Sequence, residues 1–144
     1  EMCIRDRLVI EKLEALLGPL EGKRVGLLGL SFKPDTDDLR NAPSLTIVEA
    51  LRARGATVAA YDPKCLDKAR RQPELREVEL CDSPHAAGRN ADAIVVVTEW
   101  AELRALDLPA LRDAMRRPIL IDGRNIFDPL RMRQLGFEYQ GFGR

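Results

Sequence analysis

Residues 24–44 read Arg24-Val25-Gly26-Leu27-Leu28-Gly29-Leu30-Ser31-Phe32-Lys33-Pro34-Asp35-Thr36-Asp37-Asp38-Leu39-Arg40-Asn41-Ala42-Pro43-Ser44. The first seven are a short apolar run bounded by turn residues, the pattern of a buried strand. Ala42-Pro43-Ser44 puts a proline at or near a first helical turn, where its missing N–H costs nothing. Between them lies a polar loop carrying Lys33, Asp35, Asp37, Asp38 and Arg40. Strand, charged loop and helix in that order form the ligand-binding edge of an open α/β sheet. The loop is long for such a connection, and long loops are often functional.

The same alternation runs outward from this stretch. Leu8-Val9-Ile10, Leu13 and Leu16-Leu17 recur at helical spacing, so 8–17 reads as an amphipathic helix ended by Gly18-Pro19. The pattern predicts strands over 24–30, 56–61, 77–81, 91–97, 118–121 and 137–140. It predicts helices over 43–54, 65–71, 106–115 and 130–135, with Ser83-Pro84 starting another. Strands alternating with helices imply a parallel sheet covered on both faces. The expected fold is therefore α/β: one Rossmann-like, doubly wound, mainly parallel domain. In such sheets ligands bind beyond the carboxyl ends of the strands. Residues 32–40, Asp62, 98–100 and 122–125 all fall there by this assignment.

The 144 residues suffice for one domain with a core. No stretch approaches the roughly 18 apolar residues of a membrane span. The 23 basic and 23 acidic residues balance, which argues against a nucleic-acid or membrane-surface protein. Cys3, Cys65 and Cys81 lack metal-ligand spacing. An odd cysteine count without a signal peptide fits a reducing cytoplasm.

From Gly29 to Ser44 the chain resembles the start of the C-terminal, UDP-binding domain of the UDP-glucose/GDP-mannose dehydrogenase family. Three further matches follow in order: Ala60-Tyr61-Asp62-Pro63, Val97-Thr98-Glu99-Trp100 and Ile121-Asp122-Gly123-Arg124-Asn125-Ile126-Phe127-Asp128-Pro129. The closing Gly136-Phe137-Glu138-Tyr139 and Gly141-Phe142-Gly143-Arg144 resemble the family's last segment. The Thr-Glu-Trp and Asp-Gly-Arg-Asn-Ile versions resemble its UDP-glucose branch. The resemblance covers 8–144. Residues 1–7 stand outside it and read as a junction of uncertain origin, so nothing functional is assigned to Cys3.

By position alone, Lys33 and Arg124 are the cations closest to the strand ends, and both suit phosphate and sugar oxygens. The alternative is a solvated lysine and a structural arginine paired with Asp122. The resemblance favours binding: it implies that Phe32, Lys33 and Arg124 face the sugar nucleotide. It also implies that Arg40 lies near NAD held by another domain, with a local pair to Asp37 or Asp38 as the alternative or the accompaniment. Gly26-Leu27-Leu28-Gly29-Leu30-Ser31 is not a Gly-x-Gly-x-x-Gly fingerprint, so NAD binding in the Rossmann manner is not expected here. Trp100 is expected to pack, His85 to lie at the surface and Cys81 to behave as a small hydrophobe.

For the parent enzyme the resemblance implies two NAD-dependent oxidations of a nucleotide sugar's C6 alcohol through a cysteine-bound thiohemiacetal. This chain is expected to supply one wall of the substrate site and to be inactive alone. Its partners would be UDP-glucose or a related nucleotide sugar and the remaining domains of a homo-oligomeric, cytoplasmic enzyme. Two alternatives stand beside this reading. One is a stand-alone nucleotide-sugar-binding or assembly module. The other is the same domain from a GDP-mannose or UDP-N-acetylhexosamine dehydrogenase.

Overall fold

A computed structural model describes residues 3–31 and 37–143. Six parallel strands form one sheet: β1 Arg24–Leu28, β2 Thr57–Tyr61, β3 Glu79–Leu80, β4 Ala93–Val96, β5 Ile119–Asp122 and β6 Glu138–Gln140. Their order is β3-β2-β1-β4-β5-β6, the doubly wound order of a Rossmann sheet, and it reverses between β1 and β4. Val25 lies opposite Val58 on one side and Ala93 on the other, so β1 is the central strand.

The helices are α1 Ile4–Leu17, α2 Pro43–Ala53, α3 Leu66–Arg70, α4 Pro84–Gly88, α5 Leu108–Ala114 and α6 Pro129–Gln134. Two 3-10 turns, Pro73–Leu75 and Ala101–Ala105, lie in stretches where no element was expected. The sheet separates two cores. Val25, Leu27, Val95, Ile119 and Ile121 face α1 and α2. Leu28, Ile94, Val96 and Leu120 face α4, α5 and α6. Because both faces are covered, these strands are apolar throughout instead of alternating. Each fully buried Leu or Ile contributes roughly 1.5–3 kcal/mol.

Polar side chains cap three helices, the one at Ser83 as expected and the others at starts shifted by one or two residues. Ser83 and Asp107 accept from Ala86 and Ala110 N at 3.1 Å, and Asp128 accepts from Arg131 N at 2.9 Å. Helix α2 has Pro43 in its first turn and no side-chain cap; the following Ser44 is used elsewhere, its hydroxyl donating to Leu30 O at 2.6 Å.

Most element boundaries shift by one or more residues, among them those of β4, which shortens to Ala93–Val96, and of α1, β3 and β1. Helix α1 begins at Ile4 instead of residue 8, with Asp6 buried. The third strand shortens to two residues. Strand β1 stops at Leu28 although Leu30 is fully buried, because Gly29 turns the chain at φ 99°. A Cβ on Gly29 would lie 2.5 Å from Thr98 Cβ, so glycine is required there for space as well as for its dihedral.

Candidate functional site

The carboxyl ends of the strands are organised by two buried aspartates. Asp62, just after β2, is fully buried. Its Oδ2 accepts from Leu30 N at 2.7 Å, Ser31 N at 3.1 Å and Trp100 Nε1 at 3.2 Å. Its Oδ1 accepts from Lys64 N at 2.9 Å and Cys65 N at 3.1 Å. One carboxylate thus ties together the chain leaving β1, β2 and β4. Burial alone would raise its pKa, but donation from Leu30, Lys64 and Ser31 N–H outweighs it and holds the carboxyl below the usual aspartate value.

Asp122, at the end of β5, does the same for the neighbouring turn. Its Oδ1 accepts from Arg124 N at 3.1 Å, and its Oδ2 from Phe127 N at 2.9 Å and Tyr139 Oη at 2.7 Å. Arg124 is therefore not paired with Asp122 through its guanidinium, as the structural alternative would have it. Its Nε donates instead to Val97 O at 2.8 Å, and among the described residues its two Nη groups have no partner. Gly123 makes this possible by pressing against β4: a Cβ there would lie 2.6 Å from Val96 O.

The half-buried Arg124 lines a cleft of about 370 Å³ with Gly123, Val97, Val9, Pro43 and Ile47. The cleft lies between the start of α1, which brings Arg5 and Asp6 to it, α2, and β4, where the strand order reverses. Its lining combines apolar side chains with the Arg5 and Arg124 guanidiniums and the Asp6 carboxylate, which suits a ligand with an apolar part and an anionic part held on the arginine side. Arg5 also reaches this edge, donating from Nη1 to Gly123 O at 2.8 Å. It stands in the first turn of α1, with its guanidinium 5.2 Å from the centroid of the Phe142 ring.

Arg40 is paired as expected with Asp38: Nε and Nη2 reach Oδ1 and Oδ2 at 3.1 Å each. That pairing, helped by the Arg40 N–H, lowers the Asp38 carboxyl to about 2. The Arg40 side chain is 88% exposed, so the pair orients the arginine more than it stabilises the fold. Asp37 pairs with Lys68 at 3.2 Å. Phe32 and Lys33 lie outside the described residues.

The expected bystanders behave as such. Trp100 is buried and hydrogen-bonded to Asp62. His85 is near the surface, its Nε2 3.2 Å from Asp107 O. Cys65 is fully buried, and burial followed by the nearby Asp62 charge pushes its thiol far up, the opposite of an activated nucleophile. Cys81 is also buried, with its thiol pushed up first by burial. No metal-binding cluster occurs among the described residues, and no described helix is long and apolar enough to cross a membrane.

The edge beyond β1 and β2 does not fit NAD in the Rossmann manner. An acidic residue at the end of β2 would be the ribose ligand in such a site, but Asp62 is saturated by its own chain. Crowding by Thr98 by itself requires glycine at position 29. The saturation of Asp62 draws donors from three separate parts of the chain, two of them remote in sequence.

Comparison with known proteins agrees with this geometry. Residues 26–129 match the UDP-glucose/GDP-mannose dehydrogenase family, UDP binding domain. A UDP-glucose 6-dehydrogenase of Pseudomonas aeruginosa is 50% identical over 135 residues, covering 91% of this chain and 30% of its own length. The structure of a UDP-glucose dehydrogenase from Pyrobaculum islandicum superposes with a TM-score of 0.79 at 31% identity, covering 95% of this chain and 29% of that one. An NDP-N-acetyl-D-galactosaminuronic acid dehydrogenase from Methanosarcina mazei gives a TM-score of 0.80 at 34% identity, covering 97% and 28%. The chain thus spans somewhat under a third of each relative. It belongs to the UDP-glucose/GDP-mannose dehydrogenase family and corresponds to that family's UDP binding domain.

Proposed function

We propose that this chain binds the UDP part of a nucleotide sugar at the carboxyl edge of its sheet. The observation that carries the reading is Arg124, its Nε anchored on Val97 O and its Nη groups left for a ligand in the cleft between α1, α2 and β4. A guanidinium fixed in this way meets a diphosphate without losing side-chain freedom on binding. Lys33 adds a second cation and Phe32 an apolar side chain for the base or sugar, both from the sequence that follows β1.

Residues 8–144 act in this reading as the C-terminal domain of an NAD-dependent UDP-glucose 6-dehydrogenase. The names of the relatives support glucose as the sugar. NAD, held mainly by the rest of the enzyme, is the hydride acceptor for oxidation of the C6 alcohol to a carboxylate. This domain's residues bind and orient: Lys33 and Arg124 hold the phosphates or hexose, Asp62 and Asp122 fix the turns that carry them, and Arg40, steered by Asp38, faces the dinucleotide. Cys65 and Cys81 are buried thiols pushed up by burial, a setting opposite to that of an activated nucleophile.

Titration of the purified chain with UDP tests the reading. One wall of a cleft supplies only part of the contacts, so a Kd near 1 mM, about −4.1 kcal/mol, is expected. Arg124→Ala removes a charged contact of roughly 1.5–3 kcal/mol and takes binding beyond the measurable range. Micromolar affinity would favour a stand-alone binding module, and unchanged affinity in Arg124→Ala would remove the arginine from the site.

A further inference from the structure

The last described residues leave β6 and run back across the carboxyl edge to Asn125, the residue after Arg124. Phe142 N donates to Asn125 Oδ1 at 2.9 Å, and Asn125 Nδ2 donates to Phe142 O at 2.8 Å. The asparagine side chain and one backbone unit thus satisfy each other reciprocally. Asn125 is itself held at φ 56°, a left-handed conformation that costs a side-chain-bearing residue energy and that asparagine tolerates best. The Phe142 ring packs against the core on the α1 face. Lys12 Nζ stands 5.4 Å from the ring centroid and also reaches Gln140 Oε1 at 3.3 Å.

We propose that Phe142 is a positioning residue for Arg124, latching the 122–125 turn through Asn125. The turn is also held by Asp122 Oδ1 on the Arg124 N–H, Val97 O on its Nε, Arg5 Nη1 on Gly123 O and Val96 O on the Gly123 N–H. The reciprocal pair with Phe142 adds a side-chain hold on Asn125, the residue after Arg124. Lys12 and the α1 face seat the ring, so the edge strand β6 and helix α1 both contribute to where the guanidinium points. Pre-organising a charged side chain in this way favours binding by removing an ordering cost. This inference rests on the reading of Arg124 as a UDP ligand.

The test compares three variants of the chain in NMR titrations with UDP, with amide exchange at 123–126 as a second readout. Asn125→Gly keeps the left-handed conformation and loses both latch bonds. Phe142→Ala keeps the backbone groups and loses the seat of the ring, and Phe142→Tyr restores that seat. Asn125 is exposed and Phe142 half-buried, so the fold persists in all three. Asn125→Gly and Phe142→Ala are expected to weaken UDP binding roughly three- to tenfold and to speed exchange at 123–126, while Phe142→Tyr binds as the parent does. If both loss variants bind UDP normally while Arg124→Ala does not, the latch is mere packing and the UDP reading stands. If Arg124→Ala also binds normally, both fall.

Discussion

Trp100 Nε1 donates to Asp62 Oδ2 at 3.2 Å, joining the turn after β4 to the end of β2 across the intervening β1. The same oxygen takes the Leu30 and Ser31 N–H groups, immediately before the loop that carries Phe32 and Lys33. The carboxyl edge of the sheet is thus pinned at one carboxylate.

Replacing that carboxylate tests its weight. Asp62→Asn keeps one acceptor and turns an NH2 group toward backbone or indole donors. Stranding buried donors in this way should cost on the order of 3 kcal/mol in urea unfolding. Trp100→Phe, which removes a single bond to a charged acceptor, should cost about 1.5–3 kcal/mol. Loss of less than about 0.5 kcal/mol in Asp62→Asn would show that the network does not hold the edge together.

The Asp62 carboxyl also sets an acid limit. Its folded pKa is below the unfolded value of about 3.9. A depressed carboxylate contributes stability that is fully present above the unfolded value and is lost as pH falls through the folded one. Urea midpoints should therefore be flat through neutral pH and decline below about pH 4, following the fluorescence of Trp100, the only tryptophan. The decline should be shallower in Asp62→Asn. Asp38 is also depressed, to about 2, but its pair with Arg40 lies in solvent and should add little to the effect.

Much of the fold was legible because the strands are buried on both faces. Runs such as Ala93-Ile94-Val95-Val96 leave little choice, and Ser83, Asp107 and Asp128 mark helix starts by their hydrogen-bonding chemistry. Strand ends were less legible, because burial continues past the ladder: Leu30 is as buried as Leu28 but follows the turn at Gly29. Helix α1 was placed too late because Ile4 is 73% exposed and Asp6 is buried, against the usual pattern. At the site, Arg124 and Asp62 were visible as marked residues at strand ends. Their roles were not, because Val97 O, Trp100 Nε1 and Leu30 N come from remote parts of the chain. Asn125 and Phe142 meet across 17 residues with no periodic signal.

The cysteines give a simple check on packing. Cys3 is exposed while Cys65 and Cys81 are buried. A thiol reagent should modify one cysteine rapidly in the native chain and three in denaturant. Rapid native labelling of Cys65 would contradict its placement behind Asp62.

Gly123→Ala should damage the Arg124 turn itself. A Cβ at this position meets backbone, Val96 O at 2.6 Å, and backbone cannot rotate aside. A cost of roughly 1–3 kcal/mol is expected, together with weaker UDP binding. Unchanged unfolding and binding would mean that the β4–β5 edge yields more easily than its packing implies.

Mapping UDP onto the chain by NMR tests the central claim most directly. Backbone shifts should centre on 31–40 and 122–125, grow into the millimolar range, and shrink with added salt because exposed cations are screened. Shifts centred elsewhere, at the amino ends of the strands or around α5 and α6, would contradict the account by placing the nucleotide on the wrong edge of the sheet.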